Sequence, residues 1–429
     1  MLIYMQEKIL YFVWKYKLYS ANQLISSDGQ QIKIINPGIQ NFDAGPDFIN
    51  AKIKIGNTLW AGNIEMHIKS SDWNNHGHQK DKAYNNVILH VVINDDKTVY
   101  NENGEKIVLL KLNLNNALIK KYEELISDEG KLACGDDLKT VEEFKLKMWL
   151  ENVLFERLSE KTEIIKQKLE INKNNWEESF YQIIARSFGF SLNAEPFERL
   201  ARSLPLKYIA KHHNNLQQIE ALLFGQAGFL SDDYHDDYFK MLKREYNHLK
   251  KKFNLKPIEK HNWKFLRLRP SNFPTIRISQ FACLIHQSRS LFSKIIDADS
   301  LTELQKLFQI KASVFWQNHY TFEKISEEKE KNFGNNSINN IIINTIVPFT
   351  FLYGDYKDDQ KLKDKAIKLL EDLKAENNNI TRLWNSAGIK ITDAFLSQAL
   401  IQQTKNYCQK GKCLDCGIGS EILKQMVLL

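Results

Sequence analysis

Hydrophobic and polar residues alternate in short stretches of the first third of the chain: QIKII at 31–35, KIKI at 52–55 and IEMHIK at 64–69. This is the period-two signature of half-buried strands. Asp28-Gly29, Pro37-Gly38, Gly45-Pro46 and Gly56-Asn57 supply turn chemistry around them. The run from Val87 to Ile93 is apolar on both faces apart from His90, as expected of a central strand covered on both sides. A further strand is expected at about 106–112, an amphipathic helix at 3–18 and a short helix at 78–85. From about residue 115 the apolar positions recur at helical spacing, over 141–170, 176–189, 194–211, 215–224 and 236–253. A proline-punctuated connection follows at 267–277, then a helical stretch from 278 to about 320 and an Asn-rich loop at 326–341. The pattern predicts a β-rich α+β domain with a small mixed sheet over 1–115, and a mainly α-helical domain over 116–429 that ends in a cysteine motif.

Composition narrows the class without naming a function. The 429 residues suffice for more than one core, and 43% hydrophobic with 26% charged residues is an ordinary globular balance. Glu7, Lys8, Lys15 and Lys17 interrupt the apolar N-terminus, and no uncharged run reaches the roughly 18 residues that a membrane span needs. No membrane partner is therefore expected. Five cysteines, three of them crowded at one end, suit a reducing compartment and a metal site better than a disulfide framework, so a cytoplasmic location is expected. The net charge of +7 permits a polyanionic partner without demanding one.

Strand parity selects the candidate chemistry. In IEMHIK, Ile64, Met66 and Ile68 share one face, so Glu65, His67 and Lys69 share the other. Asp47 lies just upstream, at the start of the preceding strand. An Asp followed by a strand bearing Glu-x-(basic) resembles the PD-(D/E)XK nucleases, and the order of helix, three strands, short helix and strand resembles their αβββαβ core. That restriction-endonuclease-like resemblance implies Asp47 and Glu65 as ligands of Mg²⁺ or Mn²⁺, with His67 or Lys69 as the basic group and nucleic acid as the substrate. This chain departs from the pattern in having His67 where the lysine stands, with Lys69 two residues on. Glu7 or Asp43 is a candidate third acidic ligand, and Gln79 or Tyr84 a candidate contact from the short helix behind the site.

A second reading uses the histidines. His76, His78 and Asp81 resemble the zinc-binding His-x-His-x-Asp-His of metallo-β-lactamase-like hydrolases, although the spacing differs by a residue and the last His is missing. His90, alone in an apolar strand, reads as a core histidine. The stretch GPDF, W-x-G-x-I-E-x-H and SDW-x-x-H-x-H-x-x-D-x-x-Y, with the later ALLFGQAG and RLRPSNFPTIR, is similar to an uncharacterised bacterial family known only as a domain of unknown function. That resemblance supplies no activity.

Cys408-x4-Cys413-x2-Cys416 has spacing suited to metal binding, with Cys134 as the expected fourth ligand and Cys283 assigned to core packing. One early cysteine and three late ones resemble the iron–sulfur arrangement of RecB-type nucleases, and structural zinc is the alternative. Arg267, Arg269 and Arg277 are expected to be salt-bridged to acidic helices or to grip phosphates. Two functions stand against each other: a metal-dependent nuclease-like phosphodiesterase, or a non-enzymatic scaffold that binds nucleic acid or protein on a degenerate nuclease-like core.

Overall fold

The structure, a computed structural model, describes residues 2–20, 24–127 and 132–428. Its contacts divide the chain into two units, the first comprising 1–152, 378–390 and 400–429 and the second 153–377 and 391–399.

The first unit is built on a mixed sheet. After the helix α1 (Leu2–Lys15) come β1 (Ile32–Asn36), β2 (Ile39–Gln40), β3 (Phe48–Ile55) and β4 (Thr58–Lys69). The short helix α2 (Asp72–Asn75) and two 3₁₀ turns, His78–Lys80 and Lys82–Tyr84, lead to β5 (Val87–Asn94) and then β6 (Leu109–Lys111). The strand order is β1-β3-β4-β5-β6, with β2 paired to β3. β1, β3 and β4 run antiparallel, while β4, β5 and β6 run parallel. Parallel neighbours cannot be joined by a hairpin, so the chain from β4 to β5 must cross over, and this crossover carries the histidines. The first part of the chain is therefore α+β with a small mixed sheet, as its alternation implies.

β4 shows why parity alone did not predict exposure. Ile64 and Met66 are buried on one face, and Glu65 and His67, on the other, are buried as well. The covering residues come from the crossover, where Trp73 and Tyr84 cluster with Val87, Val99 and Ile107. Buried polar side chains in such a place must find partners or a ligand. Lys69, at the exposed end of β4, does not share that burial.

A bulge shapes the start of β3. The β3–β4 register shifts between Phe48 and Ala51, where Asn50 takes a left-handed conformation at φ 58°. Asn tolerates that region better than most residues. The Met66 N–H, near this irregularity, donates to Asp47 Oδ2 at 2.9 Å.

The helix α3 (Asn116–Ile126) closes this part of the first unit, capped by the Asn115 side chain. The C-terminal helix Gly417–Leu428 packs on α3.

The second unit is helical. Its core gathers Phe180, Phe188, Phe224, Phe281 and Trp316, all at most 2% exposed. Helices Leu216–Gln226 and Asp237–Phe253 meet at Gly225, where a Cβ would stand 2.1 Å from the Tyr246 ring, so only glycine admits the ring. Two segments differ from the sequence expectation. The 267–277 connection turns helical at its end, because Pro274 occupies the first turn of Pro274–Gln287, where a missing N–H costs nothing. The Asn-rich 326–341 stretch is helical from Asn335, since Ile338 and Ile341 are buried and fix a helical face despite the polar composition.

The three arginines of 267–277 do not form a group. Arg267 and Arg269 are exposed, whereas Arg277 is buried, bonds the neutral Asn272, Gln280 and Ser337 side chains, and lies 4.8 Å from the ring centres of both Phe190 and Phe333.

A candidate metal centre in the first unit

β4 and β5 place the site. Their parallel register sets Glu65 beside His90 and His67 beside Val92, so Glu65, His67 and His90 project to the same side. The crossover then lays His76, just after α2, and His78, in the first 3₁₀ turn, over that face. Gly77, between them, has φ 82°, a conformation that favours glycine and lets both flanking imidazoles turn inward.

His67 sits at the centre. Its Nδ1 is 2.8 Å from His90 Nε2, and its Nε2 is 3.0 Å from His76 Nδ1 and 3.5 Å from Glu65 Oε1. His78 Nε2 lies 3.2 Å from the same Glu65 oxygen but without hydrogen-bond alignment, so this buried nitrogen has no hydrogen-bond partner. One nitrogen from each of His67, His76 and His78 falls within 4.8 Å of the others. A tetrahedral ion with ligands at about 2.0–2.1 Å has edges of about 3.3 Å; His67 Nε2 and His76 Nδ1, 3.0 Å apart, match that spacing, and the remaining imidazole separations, all within 4.8 Å, close to it when the rings draw in around an ion. Only His76 of the three is exposed, which leaves one side open to solvent.

The carboxylates form a second layer. Asp47 N–H donates to Glu65 Oε2 at 3.2 Å, leaving Oε1 for the histidines. Asp47 itself accepts from Met66 N–H through Oδ2 and from the Tyr11 hydroxyl through Oδ1 at 2.9 Å. Tyr11 also reaches Glu7 at 3.2 Å, so the acidic residue anticipated on the first helix is tied to Asp47 through a phenol. Tyr84 stacks on the His78 ring with centres 3.8 Å apart.

Burial dominates the electrostatics of this cluster. Burial, with Glu65's charge adding to it, raises Asp47 to about 7, and burial raises Glu65 to about 8. Burial and the neighbouring imidazoles push His67 down to about 2. His90 falls to about 3, chiefly through burial. These imidazoles are thereby held neutral, the form that ligates a metal, beside carboxyl groups that burial makes harder to ionise.

Of the residues singled out in the sequence, Asp47, Glu65 and His67 come together; Lys69 lies exposed and engages Asp72 through its backbone N–H. Asp43 is exposed and its backbone bonds Asn41, while Asp81 caps the second 3₁₀ turn. Gln79 bonds the Asn74 carbonyl. His90, read as a core residue, is buried and also holds His67. Tyr11 escaped the sequence reading because a tyrosine on an amphipathic helix carries no distinguishing signal.

The chain belongs to the family described as "Protein of unknown function (DUF2851)". The match spans residues 7–379, which includes every residue of this site and Cys134 and ends before the C-terminal cysteines. No curated protein and no solved structure matches the chain.

Proposed function

We propose that the first unit is a metal-dependent hydrolase, with a zinc-class cation held by His67, His76 and His78 and with Glu65 beside it as the proton acceptor. The observation that carries this reading is the convergence of three imidazole nitrogens next to Glu65 Oε1 on a face otherwise sealed from water. Imidazole ligands suit zinc and its neighbours better than the oxygen-seeking Mg²⁺. Three-histidine zinc brings the pKa of a bound water to about 7. Were such an ion held there it would supply an acidified water, and Glu65 Oε1, 3.5 Å from His67 Nε2 and 3.2 Å from His78 Nε2, is placed to take that water's proton and return it to the leaving oxygen as the scissile bond breaks.

Two features favour a phosphodiester of nucleic acid as the substrate. The order α1, four antiparallel strands (β1–β4), a crossover of short turns and the parallel β5 resembles the αβββαβ order of PD-(D/E)XK nucleases with one short strand, β2, added. Tyr11, which binds Asp47, also lines a cavity of about 300 Å³ whose wall carries Lys8, Lys15 and Lys412 against Glu7 and Asp415, a small excess of positive charge. The burial of Glu65, His67 and His78 favours a second reading, in which Glu65 takes the fourth position and the ion is structural within a binding scaffold.

The test is to supply the full chain with Zn²⁺ or Mn²⁺ and single- and double-stranded DNA and RNA, beside Glu65→Gln and His67→Ala. Cleavage lost in both variants supports the hydrolase. Retention of nucleic acid without cleavage, weakening steeply with salt, supports the scaffold. Neither cleavage nor retention at low salt removes nucleic acid from the account.

A further inference from the structure

The four cysteines outside the helical core meet in the first unit. Cys134 precedes the 3₁₀ helix Gly135–Thr140, Cys408 opens the turn Cys408–Lys410, and Cys416 directly precedes the helix Gly417–Leu428. With Cys413 they line one cavity of about 340 Å³, and all are free thiols. Gly411, at φ 60°, turns the chain between Cys408 and Cys413. Gly419 lets the Cys413 carbonyl approach, since a Cβ there would stand 2.3 Å from that oxygen.

The surroundings are arranged for anionic sulfur. Gln403 is 1% exposed, and its Oε1 accepts from the Trp149 indole N–H at 2.7 Å. An indole nitrogen can only donate, so the opposite end of the amide must be the NH₂ group. That group points at Cys416 Sγ, 3.0 Å away, and Cys408 Sγ, 3.6 Å away. Cys416 also accepts backbone N–H groups from Ile418 and Gly419, at the start of a 12-residue helix whose dipole favours negative charge. Two sulfurs thus receive donors. Cys413 Sγ lies 3.3 Å from the Leu125 carbonyl, to which its S–H donates. Four free thiols gathered on one cavity, two of them facing a fixed amide donor, suit a positive centre shared by the four.

We infer that Cys134, Cys408, Cys413 and Cys416 form a four-thiolate site for a thiophilic metal, either zinc or the iron of an iron–sulfur cluster, which clamps the C-terminal segment to the turn after α3. Thiolate ligands select these metals. The spacing C-x4-C-x2-C with a distant fourth cysteine is compatible with both. The clamp closes a very long loop, and cross-links of that kind restrict the unfolded chain most. The inference is independent of the histidine centre.

The full chain, purified anaerobically, is assayed for zinc, iron and acid-labile sulfide, and the bound metal is examined by X-ray absorption at its own edge. The expected result is a metal with sulfur neighbours at about 2.3 Å, distinct from imidazole nitrogen at about 2.0–2.1 Å. Visible absorbance with sulfide identifies a cluster; a colourless zinc protein identifies the single ion. His67→Ala and Cys283→Ser are expected to keep the sulfur-bound metal, and Cys413→Ser to lose it. Should Cys413→Ser not fold, the metal–sulfur distances of the unaltered chain decide alone. A full chain without sulfur-bound metal, or a soluble Cys413→Ser variant with undiminished sulfur-bound metal, overturns the inference.

Discussion

Replacing His90 by Phe separates a histidine centre from a merely packed cluster. His90 is fully buried in β5, and its Nε2 lies 2.8 Å from His67 Nδ1, on the side of the ring away from His76 and Glu65. It therefore orients a ligand and fixes its tautomer without touching the ion. Loss of such a partner typically costs 10–100-fold in metal affinity, or about 1.4–2.8 kcal/mol. Stability should change less. The variant leaves His67 Nδ1 unpaired, at about 1–3 kcal/mol. It also removes His90 Nδ1, a buried nitrogen that already lacks a partner, and fills the site with an apolar ring beside Trp73. These effects oppose one another, so the variant should fold. Zinc affinity is measured by competition with a chromophoric chelator on metal-stripped protein, with His67→Ala alongside to subtract zinc bound elsewhere. A His90→Phe affinity within about twofold of the unaltered chain, well under the expected tenfold, refutes the orienting role. Unaltered protein that binds no more zinc than His67→Ala refutes the centre itself.

Glu220, 1% exposed and accepting from Ser279 at 2.8 Å, has its carboxyl raised by burial. A raised folded value means stability present below the unfolded pKa near 4.3 and lost as pH rises through the folded one, at up to about 1.4 kcal/mol per pH unit. Melting curves of Glu220→Gln should accordingly gain on the unaltered chain between acid and pH 8; a constant difference contradicts this. Gly417→Ala places a Cβ 2.5 Å from the Trp149 ring, and overpacking of that kind costs about 1–3 kcal/mol. Because Trp149 orients Gln403, denaturant titration should show the loss of stability together with weakened metal retention at the cysteines. Unchanged retention would detach the tryptophan from the site.

The sequence reading reached the strands and failed at their surroundings. Alternation located β1, β3 and β4 and the two-sided apolar run located β5, and parity placed Glu65 and His67 on one face. It could not show that this face is covered, because the cover is a crossover of short turns whose SDWNNHGHQ has no period. The histidines were visible as a loose motif; what spacing along the chain could not supply was the parallel register that brings His90 to His67. The Asn-rich segment misled because composition outweighed two buried isoleucines, and Arg277 because its charge suggested an acidic or phosphate partner where it meets neutral side chains and two aromatic rings. The four cysteines were legible by type and spacing, whereas the orientation of Gln403 depends on Trp149, far away in sequence.

The most direct test of the account is anomalous diffraction at the zinc edge from crystals of the full chain grown with Zn²⁺. The account predicts a peak among His67, His76 and His78, with nitrogen ligands at about 2.0–2.1 Å and Glu65 alongside. The absence of any peak among those rings, in crystals where zinc is found elsewhere, would contradict it.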